Sequence, residues 1–180
     1  MEMIDIYDET GLKTGETVKK HEAHRKGLIH RAICVWIVNS SNEILMQTRS
    51  DHVISPGKMD ISFSGHIQAG ETSLEAVARE GYEELGISID ISRLQYLFSS
   101  RVYTGTDEYI ENEIDDVYLY KADIPLDACR FYDSEVKAVS YVSLEELKTM
   151  VETQADILIP SEIHYQFFLI AMSSHLVNIK

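Results

Sequence analysis

Three glutamates, Glu80, Glu83 and Glu84, stand at i, i+3 and i+4 in the stretch GHIQAGETSLEAVAREGYEELGI, which runs from Gly65 to Ile87. If the stretch is helical, that spacing puts the three carboxylates on one face, within reach of one another. Like charges so close repel, and a bound divalent cation is the usual compensation. Hard ions such as Mg²⁺ take oxygens from a few carboxylates and leave other positions to water and phosphate. Further candidates lie outside the stretch. Glu111 and Glu113 in IENEI are two residues apart, so on a strand they share a face; His24, His30 and His66 are possible metal or phosphate partners. Arg49 and Lys58 flank a loop ahead of the stretch and could clamp phosphate oxygens. Phe63, Tyr103, Tyr109 and Tyr118 could stack on a base or pack against an apolar chain, although such residues more often build a core. For the histidines and for Glu111 and Glu113, plain solvent exposure is the competing explanation.

These residues need elements to hold them. Thr72 and Glu75 form a capping box, Leu74, Val77, Ala78 and Leu85 keep helical spacing, and Gly86 supplies a stop, so a helix is expected from Thr72 to Leu85. Gly81 weakens it by about 1 kcal/mol relative to Ala, which implies close approach of that face to the sheet. Ahead of the helix the chain reads as an N-terminal hairpin, Met3–Tyr7 with Glu16–Lys19, then a polar segment KKHEAHRKG. Strands Arg31–Val38 and Glu43–Thr48 follow around an NSSN turn, with Cys34 and Trp36 assigned to the core. A loop over Arg49–Lys58, a strand Met59–Phe63 and a glycine-bounded turn Gly65–Gly70 lead into the helix. Beyond it, strands are expected at Leu94–Val102, Asn112–Tyr120 and Glu135–Val142. Ser143 opens a helix through a second capping box, and Pro160 opens a last helix with Ile163, Phe167, Ile170 and Ala171 as its apolar face. The order implies a mixed sheet covered by helices on both faces, an α/β (α+β) arrangement.

At 180 residues without a composition break, one domain spanning residues 1–180 is expected, with residues 1–27 as a hairpin extension. The formal net charge of −14 argues against a nucleic-acid or anionic-membrane partner, since both need a basic face. Cys34 and Cys129 have no disulfide or CxxC spacing, which points to a reducing, cytoplasmic compartment. MEMIDIYDE lacks a signal-peptide core, and no apolar run reaches the length of about 18 residues that a membrane span requires.

The stretch 65–87 resembles the Nudix box: Gly65, Glu71, Arg79, Glu80, Glu83, Glu84, Gly86 and the apolar Ile87 match in order. Seven exact matches at one place arise by chance about once in 10⁸. Gly81 departs from the apolar residue usual there, a matter of packing more than of chemistry. The resemblance implies an α/β/α sandwich and Mg²⁺- or Mn²⁺-dependent hydrolysis of a small-molecule diphosphate. It implies that Glu80, Glu83 and Glu84 ligate metal directly or through water, that the Gly65 carbonyl adds a ligand, and that Glu71 and Arg79 form a structural ion pair. The general base stays open among Glu80, Glu113 and Glu135.

A wider resemblance, to the isopentenyl-diphosphate isomerase branch of the superfamily, rests on His24, His30, the Gly65-His66 pair, Glu111 and Glu113. It implies a second metal site on those residues and a diphosphate near Arg49 and Lys58. That branch carries a catalytic cysteine just before the Gly-His, where this chain has Ser64, and it degrades the box carboxylates that are intact here. The expected activity is therefore hydrolysis on an isomerase-like frame. Double-bond isomerisation of an isoprenyl diphosphate and non-catalytic diphosphate sensing are the alternatives. The resemblance also allows a homodimer, with the N-terminal hairpin able to pair across it.

Overall fold

The computed structural model describes residues 2–159 and 162–177, the side chains of 162, 163 and 175–177 excepted. The hairpin β1 (Met3–Tyr7) and β2 (Lys13–Lys19) leads into a short helix α1 (Lys20–Lys26). The chain then forms β3 (His30–Val38), β4 (Glu43–Arg49), β5 (Met59–Asp60) and β6 (Phe63–His66) before α2 (Ser73–Leu85). After it come β7 (Leu94–Gly105), β8 (Ile110–Lys121), β9 (Val136–Ser143), α3 (Leu144–Glu152) and α4 (Glu162–Val177).

Seven strands make one mixed sheet in the order β5-β4-β3-β8-β7, with β6 on β3 and β9 on β4. The central pair β3·β8 is parallel, whereas β3·β4, β3·β6 and β7·β8 are antiparallel. β3 is apolar on both sides because both its faces are covered. Ile33, Val35 and Ile37 join the core beneath α2, with Phe63, Val77 and Leu85. Cys34, Trp36 and Val38 turn the other way, into the core beneath α3 and α4, with Leu147, Tyr165 and Phe168. The result is the expected helix–sheet–helix sandwich.

Several local expectations need correction. KKHEAHRKG is helical as α1, although no side chain caps its start; Ala23 and His24 are buried, so tertiary packing holds a helix that propensity alone would not. The expected strand Met59–Phe63 divides because β5 pairs with β4 while β6 pairs with β3. Gly65 and His66 are the end of β6, so the turn starts later than expected. On α4 the buried side chains are His164, Tyr165, Phe168 and Met172, whereas Phe167 and Ile170 are 46% and 62% exposed. The helix is apolar nearly all round, so periodicity could not choose its face. Pro160 and the Ile163 side chain lie outside the described residues.

Both capping boxes are formed, at Thr72 with Glu75 and at Ser143 with Glu146. Gly81 sits where a Cβ would lie 2.9 Å from Ile89 and 3.3 Å from Phe63, the close approach that its place in a helix implied. The hairpin packs on the loop before α2, where Ala69 N–H donates to the Met3 carbonyl at 2.8 Å.

Candidate active site

β6 runs into a loop that α2 folds back over, and this turn assembles the site. Glu80 and Glu84, one turn apart on α2, are both buried. Glu80 lies so close over the backbone of β6 that a Cβ on Gly65 would stand 2.0 Å from its Oε1. Any side chain at position 65 would push Glu80 out of this position. Arg79 locks the loop: Nε and Nη2 donate to the two Glu71 oxygens at 2.9 Å each, Nη2 to the His66 carbonyl at 2.8 Å, and Nη1 to Glu80 at 2.6 Å. Glu84 accepts from Gln47 Nε2 at 2.8 Å and from the Ser64 N–H at 3.3 Å. Glu80 and Glu84 each bring a carboxylate oxygen within 4.8 Å of one from Asp133, in the loop before β9. Burial pushes the Glu80 carboxyl up to about 7 despite Arg79 beside it, and pushes Glu84 well above the usual range, with Glu80 adding to the effect. Two neighbouring carboxyls that ionise reluctantly are what a bound divalent cation would relieve.

A second cluster lies across the same cavity. His24 from α1, His30 from β3, His66 from β6 and Glu113 from β8 bring one donor atom each within 4.8 Å of the others. His30 and His66 Nε2 both lie 3.1 Å from Glu113 Oε1, and His24 Nε2 lies 3.0 Å from His66 Nε2. Nδ1 of His24 and of His30 face the carbonyls of Ile110 and Leu28, at 3.2 and 2.8 Å. Carbonyls only accept, so these Nδ1 atoms carry protons and both Nε2 atoms are turned inward, as outer hydrogen bonds orient metal-binding imidazoles. Without a cation His30 Nε2 also carries a proton, which it donates to Glu113, and that carboxylate holds the imidazole above its usual range against the effect of burial. Burial, reinforced by His66 and His30, pushes His24 down to about 4, so its Nε2 keeps its lone pair at neutral pH. Burial acts to raise Glu113, yet hydrogen bonds from His30 and His66 hold it well below the usual carboxylate range. Both clusters therefore fit a cation by the chemistry of their donors.

A cavity of about 290 Å³ joins the two clusters. Nine carboxylates line it against three fixed cations, Lys20, Arg49 and Arg79. That balance disfavours an anionic ligand unless cations offset it.

The NUDIX domain family profile matches residues 28–160. The chain belongs to the Nudix hydrolases. Nudix hydrolase 3 of Arabidopsis thaliana is 38% identical over 172 residues, covering 92% of this chain, which spans only 22% of that protein's length. Isopentenyl-diphosphate Delta-isomerase 1 of Mesocricetus auratus is 33% identical over 174 residues, 86% of this chain and 74% of that one. The relatives thus include both branches on which the sequence motifs drew. Among solved structures, DR0079 from Deinococcus radiodurans shares the fold with a TM-score of 0.73 at 22% identity, covering 92% of this chain and 98% of that one.

On this Nudix frame the predicted site residues separate. Glu80, Glu83, Glu111, Glu113, Glu135, Gly65, His66, Arg49 and Arg79 all line the cavity. Glu83 sits beside the carboxylate cluster, 3.2 Å from Arg79. Arg49 is braced by Asp60 at 2.6 Å. Lys58 is not on the cavity; it pairs with Asp156 at 2.9 Å. Among the aromatics, Tyr109 lines the cavity and stacks on His24 at 4.3 Å. Phe63 and Tyr118 are buried, and Tyr103 is 72% exposed. Trp36 packs in the core on Phe168. Sequence reasoning missed Asp133 and Lys20. Asp133 could have been found as an acid two residues before Glu135 in the same turn; Lys20 carries no signal beyond its charge.

Proposed function

We propose that the protein is a divalent-metal-dependent Nudix pyrophosphohydrolase acting on a small-molecule diphosphate, with Mg²⁺ or Mn²⁺ held by Glu80, Glu84 and Asp133 and aided by Glu83 and the Gly65 carbonyl. The convergence of Glu80, Glu84 and Asp133, one carboxylate oxygen from each within 4.8 Å of the others, carries this reading. Bound there, such an ion neutralises phosphate charge and acidifies a water for in-line attack on phosphorus. The chain does the positioning. Glu71 and Arg79 brace the loop so that Glu80 stays over Gly65, and Gln47 fixes Glu84. Arg49, braced by Asp60, presents its guanidinium to the diphosphate oxygens.

Of the three candidate bases, Glu113 is engaged by two imidazoles and held ionised, which makes it a weak proton acceptor. Glu80 is paired with Arg79. Glu135 is exposed to the cavity mouth, and its backbone N–H donates to Asp133 at 2.9 Å. We assign it the role of general base. His24, His30, His66 and Glu113 would hold a second cation, with Glu111 nearby and Tyr109 backing His24.

The test is a panel of nucleoside diphosphates and other diphosphates incubated with the full chain and Mg²⁺ or Mn²⁺. Release of phosphate or a monophosphate is expected; tight binding without release would replace hydrolysis with sensing. The histidine cluster favours one second reading, isomerisation of an isoprenyl diphosphate, although Ser64 is a poor proton donor beside a thiol. Conversion of isopentenyl to dimethylallyl diphosphate would establish it.

A further inference from the structure

A third cluster lies at the inner end of the cavity, where α4 closes on the sheet. Cys34 of β3, Asp115 of β8 and His164 of α4 bring a sulfur, a carboxylate oxygen and an imidazole nitrogen within 4.8 Å of one another. All three residues are buried, and none belongs to the two clusters above. His164 Nε2 lies 3.0 Å from Asp115 Oδ2 and 3.0 Å from Ser100 Oγ. The other oxygen of Asp115, Oδ1, is shut off from water and has no hydrogen-bond partner among the described residues.

A histidine–aspartate ion pair accounts for Oδ2 but leaves Oδ1 unexplained. A buried polar atom without a partner is costly to the fold, so its presence points to a group that the chain itself does not supply. A transition-metal ion sits about 2.0–2.2 Å from a carboxylate oxygen and would be the partner that Oδ1 lacks. The donors narrow the choice of ion. Sulfur, imidazole and carboxylate together suit Zn²⁺, whereas Mg²⁺ demands oxygens. Charge agrees as well, since one thiolate and one carboxylate neutralise a divalent ion, as a buried site requires. Tetrahedral zinc spaces such donors by about 3.5 Å, a separation that modest side-chain rotation reaches from the present 4.8 Å limit.

We infer that Cys34, Asp115 and His164 hold a structural Zn²⁺ that fastens α4 to the sheet, with Ser100 Oγ or a water as the fourth ligand. On binding, the Cys34 thiol gives its proton to solvent and ligates as thiolate, with no change in oxidation state. Without the ion, α4 is held by apolar packing such as Phe168 and Tyr165 against Trp36 and by the contacts of His164 with Asp115 and Ser100. The zinc ties the helix down beside the cavity whose wall it forms.

Titrating Co²⁺ into the chelator-stripped full chain tests this, because a thiolate ligand produces a near-ultraviolet charge-transfer band. Cobalt on Glu80, Glu84 and Asp133, or on the cluster around Glu113, has no sulfur ligand and produces none. The band should appear in wild type, Cys129→Ser and Glu84→Gln, and vanish in Cys34→Ala. In His164→Ala it should need about tenfold more cobalt or above. Absence of the band in wild type, or its survival in Cys34→Ala, overturns the inference. Should Cys34→Ala not fold, an unshifted titration in His164→Ala overturns it equally. In Glu84→Gln, activity lost with the band intact separates this site from the hydrolytic one.

Discussion

Glu84 has the most confined chemistry of any residue in the site. It is buried, it accepts from Gln47 and Ser64, and burial pushes its carboxyl well above the usual range. Gln is close in shape to Glu and has no charge to bury, so Glu84→Gln should leave the metal-free fold about as stable as wild type. Turnover should fall about 10²- to 10³-fold, as when a preorganised electrostatic group is removed. Steady-state kinetics beside a urea melt would decide it: unchanged turnover removes Glu84 from the metal site. Glu135→Gln should differ, losing about 10²- to 10⁴-fold in turnover while metal affinity, measured calorimetrically, stays put. The buried acids also set a pH dependence. Glu80 and Glu111 are each pushed up to about 7, chiefly by burial, from an unfolded value of 4.5. Between those values the folded chain binds more protons than the unfolded one, so stability falls as pH rises through that window. His24, pushed down to about 4, opposes this below its unfolded value of 6.5, but burial also raises Glu84 and Asp115, which act with the two glutamates. The metal-free melting temperature should therefore drop from about pH 4.5 to 7, and drop less in Glu80→Gln. An unaltered slope in that variant would count against the burial of Glu80.

At the scale of elements, α2 is tuned for approach to the sheet rather than for helix propensity. Replacing Gly81 by Ala gains about 1 kcal/mol of propensity, but the new Cβ would stand 2.9 Å from Ile89. Overpacking of that kind costs about 1–3 kcal/mol. Gly81→Ala should thus be neutral to destabilising by about 2 kcal/mol, and the pair Gly81→Ala with Ile89→Val should recover stability in a denaturant melt. A clear gain from the single change would mean that the helix stands farther from Ile89. The start and stop of α2 were legible in sequence because capping boxes and a left-handed glycine are local devices; both are formed, with Gly86 at φ 69°. α1 was not legible, because its seven residues owe their helix to the burial of Ala23 and His24. The buried face of α4 was not legible either, since Phe167 and Phe168 look alike until a sheet arrives on one side.

For the molecule as a whole, the acidic cavity links metal to stability. Mn²⁺ at about a hundred times its Kd adds about 2.7 kcal/mol per site, or roughly 5–11 °C in Tm for a chain of this size. Chelation should reverse the gain, and Glu84→Gln should abolish the share owed to its site. A melting temperature indifferent to Mn²⁺ would mean that the clusters bind no ion. The sequence by itself determined the family, the sandwich and the carboxylates of the box, because spacing on one helix places side chains without help from the rest of the chain. Through the isomerase resemblance it also grouped the three histidines with Glu111 and Glu113 as one possible site, but the meeting point of the histidines and Glu113 needed α1, β3, β6 and β8 to pack. Only the tertiary structure decided that Asp133 joins Glu80 and Glu84, that Lys58 stands apart, and that Cys34, Asp115 and His164 converge. Those groupings join residues from 49 to 130 positions apart in the chain. No local rule relates them, and the packing of α2 and α4 on opposite faces of the sheet does.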